Sequence, residues 1–185
     1  MKALFFLYDG YMEWEISPLS YIFNLTDVEV ETTGLKNEVT HSGNFRVKVD
    51  KLIEECEAST YDILVIPGGD PEPLLEEESL IKLIQAFDSE GKWIAPICGA
   101  PTLLGKGSVL RDRNYSTSID ISEFPTCFDP DYKSEADTTV CENLITAEGN
   151  AYVEFAVAVA KQLGLFEDRE DELETVLFFK NQLRG

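Results

Sequence analysis

The sequence predicts an α/β fold in which helices cover both faces of a mostly parallel sheet. Short, continuously apolar segments recur along the chain, and segments with helical spacing of apolar residues separate them. Continuous apolar strands are typical of a sheet buried on both faces, and strands that alternate with helices indicate βαβ units. A chain of 185 residues suits a single domain with a sizeable core. We therefore expect one α/β domain over residues 1–185, with an additional C-terminal helix at about 168–184.

The first half of the chain contains three predicted strands, two helices and a hairpin. In order, these are a continuous apolar strand at Lys2–Tyr8, a helix at about Met12–Asn24, an alternating strand at Val28–Thr33, a hairpin around Gly43 within Val39–Val49, one or two helical turns at Leu52–Cys56, a buried strand at Tyr61–Ile66 and a helix at Ser79–Ser89. Asp9-Gly10 ends the first strand and Pro67-Gly68-Gly69 ends the buried one, because glycine and proline favour turns.

The second half continues the alternation. Its predicted elements are a strand at Trp93–Ile97, a helix starting within Pro101–Gly105, a short strand at Tyr115–Ile119, late strands at Val140 and Leu144–Ala147, and helices at about Tyr152–Leu163 and Glu170–Leu183. One stripe of the last helix carries Leu173, Val176, Leu177, Lys180 and Leu183. This stripe favours packing on the protein's own sheet, and contact with a second copy is the alternative.

Composition argues against several classes of function. The 15 Lys and Arg residues against 35 Asp and Glu residues give a net charge of −20, which repels phosphate backbones and anionic lipid headgroups. We therefore expect no nucleic-acid partner and no membrane partner. The chain has one histidine, four cysteines and no Cys-x-x-Cys pair, which excludes a multi-histidine metal site, a zinc ribbon and a thioredoxin-like motif. We expect neither a metal nor a cofactor.

The N-terminal apolar run predicts a strand rather than a targeting segment. It is shorter than the core of a signal peptide and ends at Asp9. No other stretch approaches the ~20 apolar residues of a membrane span. The four unevenly spaced cysteines then indicate free thiols rather than disulfides, and we expect a cytoplasmic protein.

A cysteine lies where a strand is predicted to turn directly into a helix. Trp93–Ile97 runs into Cys98, small residues follow, and Pro101 suits the first turn of a helix. Ligands of a doubly wound sheet bind beyond the carboxyl ends of its strands, so this thiol should face the ligand crevice. Backbone N–H groups and the positive end of the helix dipole should lower its pKa and raise its reactivity. A buried structural cysteine is the alternative.

The same crevice should contain two further loops. Gly68-Gly69 follows a strand, and its N–H groups could bind an oxyanion formed by attack of Cys98 on a carbonyl, or the pair could simply form a tight turn. Glu13 and Glu15 follow the first strand and point some 200° apart on a helix, so only one can face the crevice. A carboxyl there could donate a hydrogen bond or a proton to the thiolate, but the spacing does not choose between the two.

Four segments together carry a family resemblance. They read "DGYMEWE", "YDILVIPGG", "APICGAPTLL" and "NLITAEGNAYVEFAVAVAKQLG", and they resemble the PfpI-type intracellular protease/amidase family of the DJ-1/PfpI superfamily. The resemblance spans nearly the whole chain and implies a flavodoxin-like, class I glutamine amidotransferase-like fold that is usually dimeric. It implies that Cys98 is the nucleophile and that Glu15, five residues after Gly10, hydrogen-bonds it. It further implies that the N–H groups of Gly69 and Gly99 bind the oxyanion. Gly68 remains a candidate donor from the Gly68-Gly69 turn alone.

The chain also departs from the family pattern. Protease-type members carry His directly after the cysteine, where this chain has Gly99. Other members carry His in a stretch similar to residues 115–118, where Ser116 and Thr117 are instead candidate pocket residues. The sole histidine, His41, lies in the predicted hairpin, and we interpret it as a surface loop residue rather than a catalytic one. These departures argue against peptidase activity by a Cys-His-acid triad.

Three functions remain open at this point. The first is an enzyme that uses Cys98 covalently on a small carbonyl or amide substrate, as a glyoxalase, deglycase or amidase, with Glu15 moving the proton. The second is a redox sensor or stress-protective protein in which Cys98 is oxidised to a sulfinic acid without turnover. The third is a binding module without catalysis. We expect a small-molecule substrate and a homodimer.

Overall fold

The computed structural model describes residues 1–180, which form nine strands and five α-helices within this range. The strands are β1 (Lys2–Phe6), β2 (Glu29–Gly34), β3 (Glu38–Thr40), β4 (Arg46–Lys48), β5 (Lys51–Leu52), β6 (Ile63–Ile66), β7 (Trp93–Pro96), β8 (Thr138–Cys141) and β9 (Leu144–Ala147). The helices are α1 (Glu13–Leu25), α2 (Glu78–Ser89), α3 (Pro101–Lys106), α4 (Tyr152–Gln162) and α5 (Arg169–Phe179).

Seven strands form one sheet in the order β5-β2-β1-β6-β7-β9-β8. All neighbours pair in parallel except β8 and β9, which are antiparallel. Strands β6 and β9 are buried along their full length, as expected for a parallel sheet covered on both faces. The predicted α/β class with a mostly parallel sheet flanked by helices is therefore confirmed.

The helices form two groups around the sheet. Helix α1 packs against α4, and α4 also contacts β9, whereas α2 packs on β6 and β7 and contacts α3. Because β1, β6, β7 and β9 run in parallel, their carboxyl ends lie along the same edge of the sheet. The loops that follow these four strands therefore meet at that edge.

The β3–β4 hairpin forms a separate two-stranded sheet, as the sequence predicts. It covers the loop between β1 and α1, since the Gly10 N–H donates to the Thr40 carbonyl at 2.8 Å and the Ser42 N–H donates to the Tyr11 carbonyl at 2.9 Å. The hairpin therefore lies at the rim of the crevice.

The predicted strand at Tyr115–Ile119 is wrong. Tyr115 forms only an isolated bridge with Lys133. The Ser116 N–H donates to Thr146 Oγ1 at 2.9 Å, and the Ser118 N–H donates to the Cys98 carbonyl at 3.2 Å. The backbone of this segment is bound by a side chain and a loop carbonyl instead of a neighbouring strand, so no ladder forms.

Helix α5 does not pack on the sheet through the predicted stripe. None of its residues from Arg169 to Phe179 is buried, and Leu173 is 55% exposed. Because α4 already covers that part of the sheet, α5 lies on α4 instead, where Lys180 pairs with Glu154. Phe178 stacks on Tyr21 of α1 with ring centroids 6.4 Å apart. Leu183 of the predicted stripe lies outside the described residues.

Candidate active site

Cys98 occupies a strained turn between β7 and α3. Its φ of +62° lies in the left-handed region, which costs a residue other than glycine about 1–3 kcal/mol. The surrounding chain holds this conformation in place. The Cys98 N–H donates to the Ala147 carbonyl at the end of β9 at 2.8 Å, and the Cys98 carbonyl accepts the Thr117 hydroxyl at 2.6 Å. The turn presents the partly exposed thiol at the crevice edge.

Glu15, and not Glu13, faces this thiol. Glu15 is 1% exposed, its Oε2 accepts the Gly68 N–H at 2.7 Å, and its carboxyl lies beside the Cys98 thiol, where its negative charge acts on the sulfur. The Glu13 side chain is 37% exposed and its Oε2 accepts the Ser42 hydroxyl at 2.9 Å. The structure thus resolves the choice that the helical spacing left open.

The pKa of the Cys98 thiol shifts in the direction opposite to the prediction. Burial, together with the negative charge of Glu15, raises the pKa of the Cys98 thiol to about 11. The predicted fall in the pKa of Cys98 is therefore wrong. Hydrogen bonds from Ser118 and the Gly99 N–H favour the thiolate, but desolvation outweighs them. Burial also raises the pKa of Glu15, so burial favours the protonated form of both the thiol and the carboxyl.

The three predicted glycines have different surroundings. The Gly68 N–H is occupied by Glu15, and a Cβ on Gly68 would lie 2.5 Å from Cys98 Cβ. Gly69 has a φ of +137°, and no acceptor within residues 1–180 takes its N–H. The Gly99 N–H favours the thiolate form of Cys98 and so lowers the pKa of the thiol. Gly69 and Gly99 therefore have N–H groups suited to an oxyanion, whereas Gly68 positions the acid.

Sequence reasoning missed two residues beside the thiol, Gly149 and Ser118. A Cβ on Gly149 would lie 2.7 Å from Glu15 Oε1 and 3.1 Å from Cys98 Sγ, so only glycine leaves room for the pair. The Gly149 N–H donates to Ser118 Oγ at 2.8 Å, which leaves the Ser118 hydroxyl proton free for the sulfur. The signal was available, because Gly149 follows β9 at the same edge of the sheet.

Ser116 and Thr117 are neighbours in the segment that borders the Cys98 turn, and their hydroxyl groups bond to different parts of the chain. The Ser116 hydroxyl donates to the Ala136 carbonyl at 2.5 Å and contacts Thr139 Oγ1 at 2.7 Å, away from the thiol. The Thr117 hydroxyl binds the Cys98 carbonyl. Thr117 therefore supports the turn, and Ser116 joins this segment to the β8 side of the sheet.

His41 is buried, which corrects the expected surface position. Only 6% of it is exposed, because the ring packs between Tyr11 and Phe45 at centroid distances of 5.7 and 5.2 Å. Its Nδ1 accepts the Gly43 N–H at 3.0 Å and lies 3.2 Å from Glu13 Oε2. These contacts tie the hairpin to the start of α1, and none of them involves Cys98 or Glu15.

Neither a cluster of metal ligands nor a membrane-spanning helix occurs among residues 1–180. Between residues 1 and 180, no three His, Cys, Asp or Glu side chains are grouped so that they could hold a metal ion. No helix in that part of the chain is both long and apolar enough to cross a membrane.

Comparison with known proteins identifies the family of this chain. The model of the DJ-1/PfpI family matches residues 1–162. The chain belongs to the DJ-1/PfpI family. The match ends before α5 and includes every residue of the site described above. The predicted family resemblance is confirmed.

Relatives within the DJ-1/PfpI family carry several names. The uncharacterized protease YoaZ of Bacillus subtilis is 31% identical over 164 residues, which cover 85% of this chain and 77% of that protein. Deglycase TK1284 of Thermococcus kodakarensis is 28% identical over 125 residues, covering 66% of this chain and 75% of that protein. The DJ-1 superfamily protein Atu0886 from Agrobacterium tumefaciens superposes with a TM-score of 0.86 at 26% identity, covering 98% of each chain.

Proposed function

We propose that this DJ-1/PfpI family protein is a cysteine-dependent enzyme that acts on a small carbonyl or amide substrate, with glyoxalase-, deglycase- or amidase-like chemistry. One observation carries the proposal: the buried Glu15 carboxyl lies beside the Cys98 thiol at a strained strand-to-helix turn. A nucleophile within reach of a proton acceptor that is itself oriented by a third group is the arrangement that covalent catalysis requires. Here the third group is the Gly68 N–H.

The raised pKa values give the two residues complementary roles. A thiol with a pKa of about 11 is a poor nucleophile until a base removes its proton. Burial raises the pKa of Glu15, which makes its carboxylate a stronger base than an exposed one. Glu15 therefore takes the proton from Cys98 during attack rather than in the resting enzyme.

The proposed first step forms a bond between Cys98 Sγ and the carbonyl carbon of the substrate. The C=O π electrons move onto oxygen, and the thiol proton moves to Glu15. The resulting oxyanion accepts hydrogen bonds from the Gly69 and Gly99 N–H groups. With an aldehyde, Glu15 returns the proton to give a hemithioacetal. With an amide, Glu15 gives the proton to the leaving amine as the C–N bond breaks, and water then releases the acyl group.

The names of relatives agree with this class of chemistry, since they include deglycases and proteases. A Cys-His-acid peptidase triad is a poorer fit. The groups that act on the pKa of the Cys98 thiol are Glu15, Ser118 and the Gly99 N–H, whereas His41 bonds within the hairpin. We therefore favour a small substrate over a peptide.

A sulfinic acid at Cys98 is the second candidate, and the position of Glu15 supports it. A protonated Glu15 carboxyl beside Sγ could donate a hydrogen bond to a sulfinate oxygen. The raised pKa of the thiol counts against it, because peroxide oxidises thiolates faster than thiols.

We also propose a homodimer, as the family resemblance implies. Exposed apolar side chains on α1 and α5 support this proposal, since Leu25 is 62% exposed and Phe178 is 56% exposed. Sedimentation equilibrium of the whole chain tests it, and a monomer at all concentrations would contradict it.

The function is tested by turnover of methylglyoxal and of a chromogenic amide. We expect activity in the wild type, loss of that activity in Cys98→Ser, and retention in Cys56→Ser, whose half-buried thiol contacts Thr33 away from the site. Peroxide treatment followed by mass spectrometry examines the alternative. Sulfinic acid formation confined to Cys98, without turnover of either substrate, would support the redox function instead.

A further inference from the structure

A cavity of about 440 Å³ opens next to the candidate active site. Its apolar wall is formed by Leu7, Leu35, Val39, Pro73 and Leu74. Tyr8 connects the cavity with the site: it lines the cavity, and its hydroxyl would lie 2.7 Å from a Cβ on Gly69. Sites for small ligands usually have volumes of about 300–1,000 Å³, so this cavity is large enough for a substrate group.

The charged residues of the cavity are predominantly acidic. Asp9 and Lys36 line it as an ion pair at 2.5 Å, and their charges compensate each other. Asp70 and Glu77 also line it, and neither has a cationic partner within residues 1–180. Asp70 Oδ1 accepts the Glu72 N–H at 3.0 Å, which leaves Oδ2 available. The cavity therefore combines an apolar wall with two uncompensated carboxylates.

We propose that this cavity binds an organic cation with an apolar stem, represented by a primary alkylammonium ion. The stem would pack on the wall near Leu74, and the ammonium group would lie between the carboxylates of Asp70 and Glu77. Desolvated apolar contacts provide affinity, and charge complementarity selects a cation over an anion. This step rests on the proposed function: the cation is the recognition end of the substrate whose carbonyl reaches Cys98.

The test is a binding titration in which no reaction at Cys98 is required. Hexylammonium, hexan-1-ol and hexanoate are titrated into the wild type and into Cys98→Ala, and methyl NMR signals of Leu7, Val39 and Leu74 report occupancy. We expect saturable binding of hexylammonium, binding of hexan-1-ol weaker by about threefold to tenfold, and the weakest binding for hexanoate. The preference for the ammonium ion should shrink as salt is added.

A matched pair of variants tests whether the Glu77 carboxylate contributes to binding of the ammonium group. Glu77→Gln should weaken hexylammonium binding about threefold and leave hexan-1-ol unchanged. Glu76→Gln is the control, because Glu76 pairs with Lys106 outside the cavity, and it should change neither affinity.

Three results would overturn the assignment: no saturable binding, equal affinity for hexylammonium and hexan-1-ol, or methyl shifts confined to residues elsewhere. Failure of the enzyme proposal is distinguishable from these results. Ammonium-selective binding in a protein without turnover would contradict only the enzyme proposal, and turnover without that selectivity would contradict only the cavity assignment.

Discussion

Glu15 Oε1 and Cys98 Sγ converge on one point beside Gly149, at 2.7 and 3.1 Å from where a Cβ on that glycine would lie. The other oxygen of the carboxyl, Oε2, accepts the Gly68 N–H at 2.7 Å. One oxygen is therefore anchored to the backbone while the other faces the thiol. This arrangement fixes the direction in which a proton can pass between the two side chains.

Replacing Glu15 by glutamine separates the anchoring role from the proton-transfer role. Glu15→Gln keeps an oxygen that can accept the Gly68 N–H, but an amide cannot take a proton from Cys98. We expect kcat for the best substrate to fall about a hundredfold or more with KM little changed, because general base catalysis is lost. Steady-state kinetics measure this effect. Glu13→Gln on the same helix is the control, and an equal loss in that variant would indicate a general effect on α1.

The pH dependence of thiol alkylation reports the pKa of Cys98. We expect the iodoacetamide rate at Cys98, resolved by mass spectrometry, to keep rising with pH towards about 11. In Glu15→Gln the midpoint should move to lower pH, because the neighbouring negative charge is gone and the thiolate is less disfavoured. In Ser118→Ala it should move to higher pH, because a hydrogen-bond donor to the thiolate is lost. A midpoint that Glu15→Gln leaves in place would contradict the coupling of the two groups.

The parts of the fold that depend on local pattern could be predicted from the sequence. Buried strands such as Ile63–Ile66 are continuous apolar runs, and Pro67-Gly68-Gly69 marks where the chain must turn. The segment at Tyr115–Ile119 has β-forming residues but binds through Thr146 and a loop carbonyl, a choice that depends on tertiary partners. Side chains such as Leu173 fit a helical stripe, but α4 had already covered the surface they were expected to pack on.

Most members of the site could be predicted from the sequence, but Ser118, Gly149 and the direction of the pKa shift of the thiol were missed. The strand-end rule brought Cys98 and the Gly68-Gly69 turn to one edge, and the resemblance selected Glu15. The prediction of a lowered pKa for the Cys98 thiol was wrong because it took account of the helix dipole but not of desolvation. Desolvation is the larger cause here. How deeply a side chain is buried depends on the loops around it, and here those include Gly149 after β9.

Adding a methyl group at Gly149 should disrupt the pair directly. In Gly149→Ala the new Cβ would meet Glu15 Oε1 and Cys98 Sγ, so the carboxyl or the thiol must move. We expect turnover to fall at least about tenfold and the free energy of unfolding to fall by about 1–3 kcal/mol, measured by kinetics and chemical denaturation. Gly107→Ala is the control, since its Cβ would have no neighbour closer than 3.5 Å. Full activity in Gly149→Ala would show that the close approach is not required.

The role of the single histidine is tested by its removal. His41 packs between Tyr11 and Phe45 and contacts Glu13, so it stabilises the hairpin at the rim of the crevice. We expect His41→Gln to lower the free energy of unfolding by about 1 kcal/mol through lost ring packing, while the pH profile of Cys98 alkylation stays as in the wild type.

The matched control for His41→Gln is Phe45→Ala, which removes the ring that packs edge-on against His41 in the same hairpin. Both variants should lose stability and keep the alkylation profile, because neither side chain bonds the thiol or Glu15. A shifted profile in His41→Gln alone, or a loss of turnover as large as in Cys98→Ser, would mean that the imidazole takes part in the reaction. In that case the hairpin would have to close over the crevice during turnover, bringing Nε2 to the substrate.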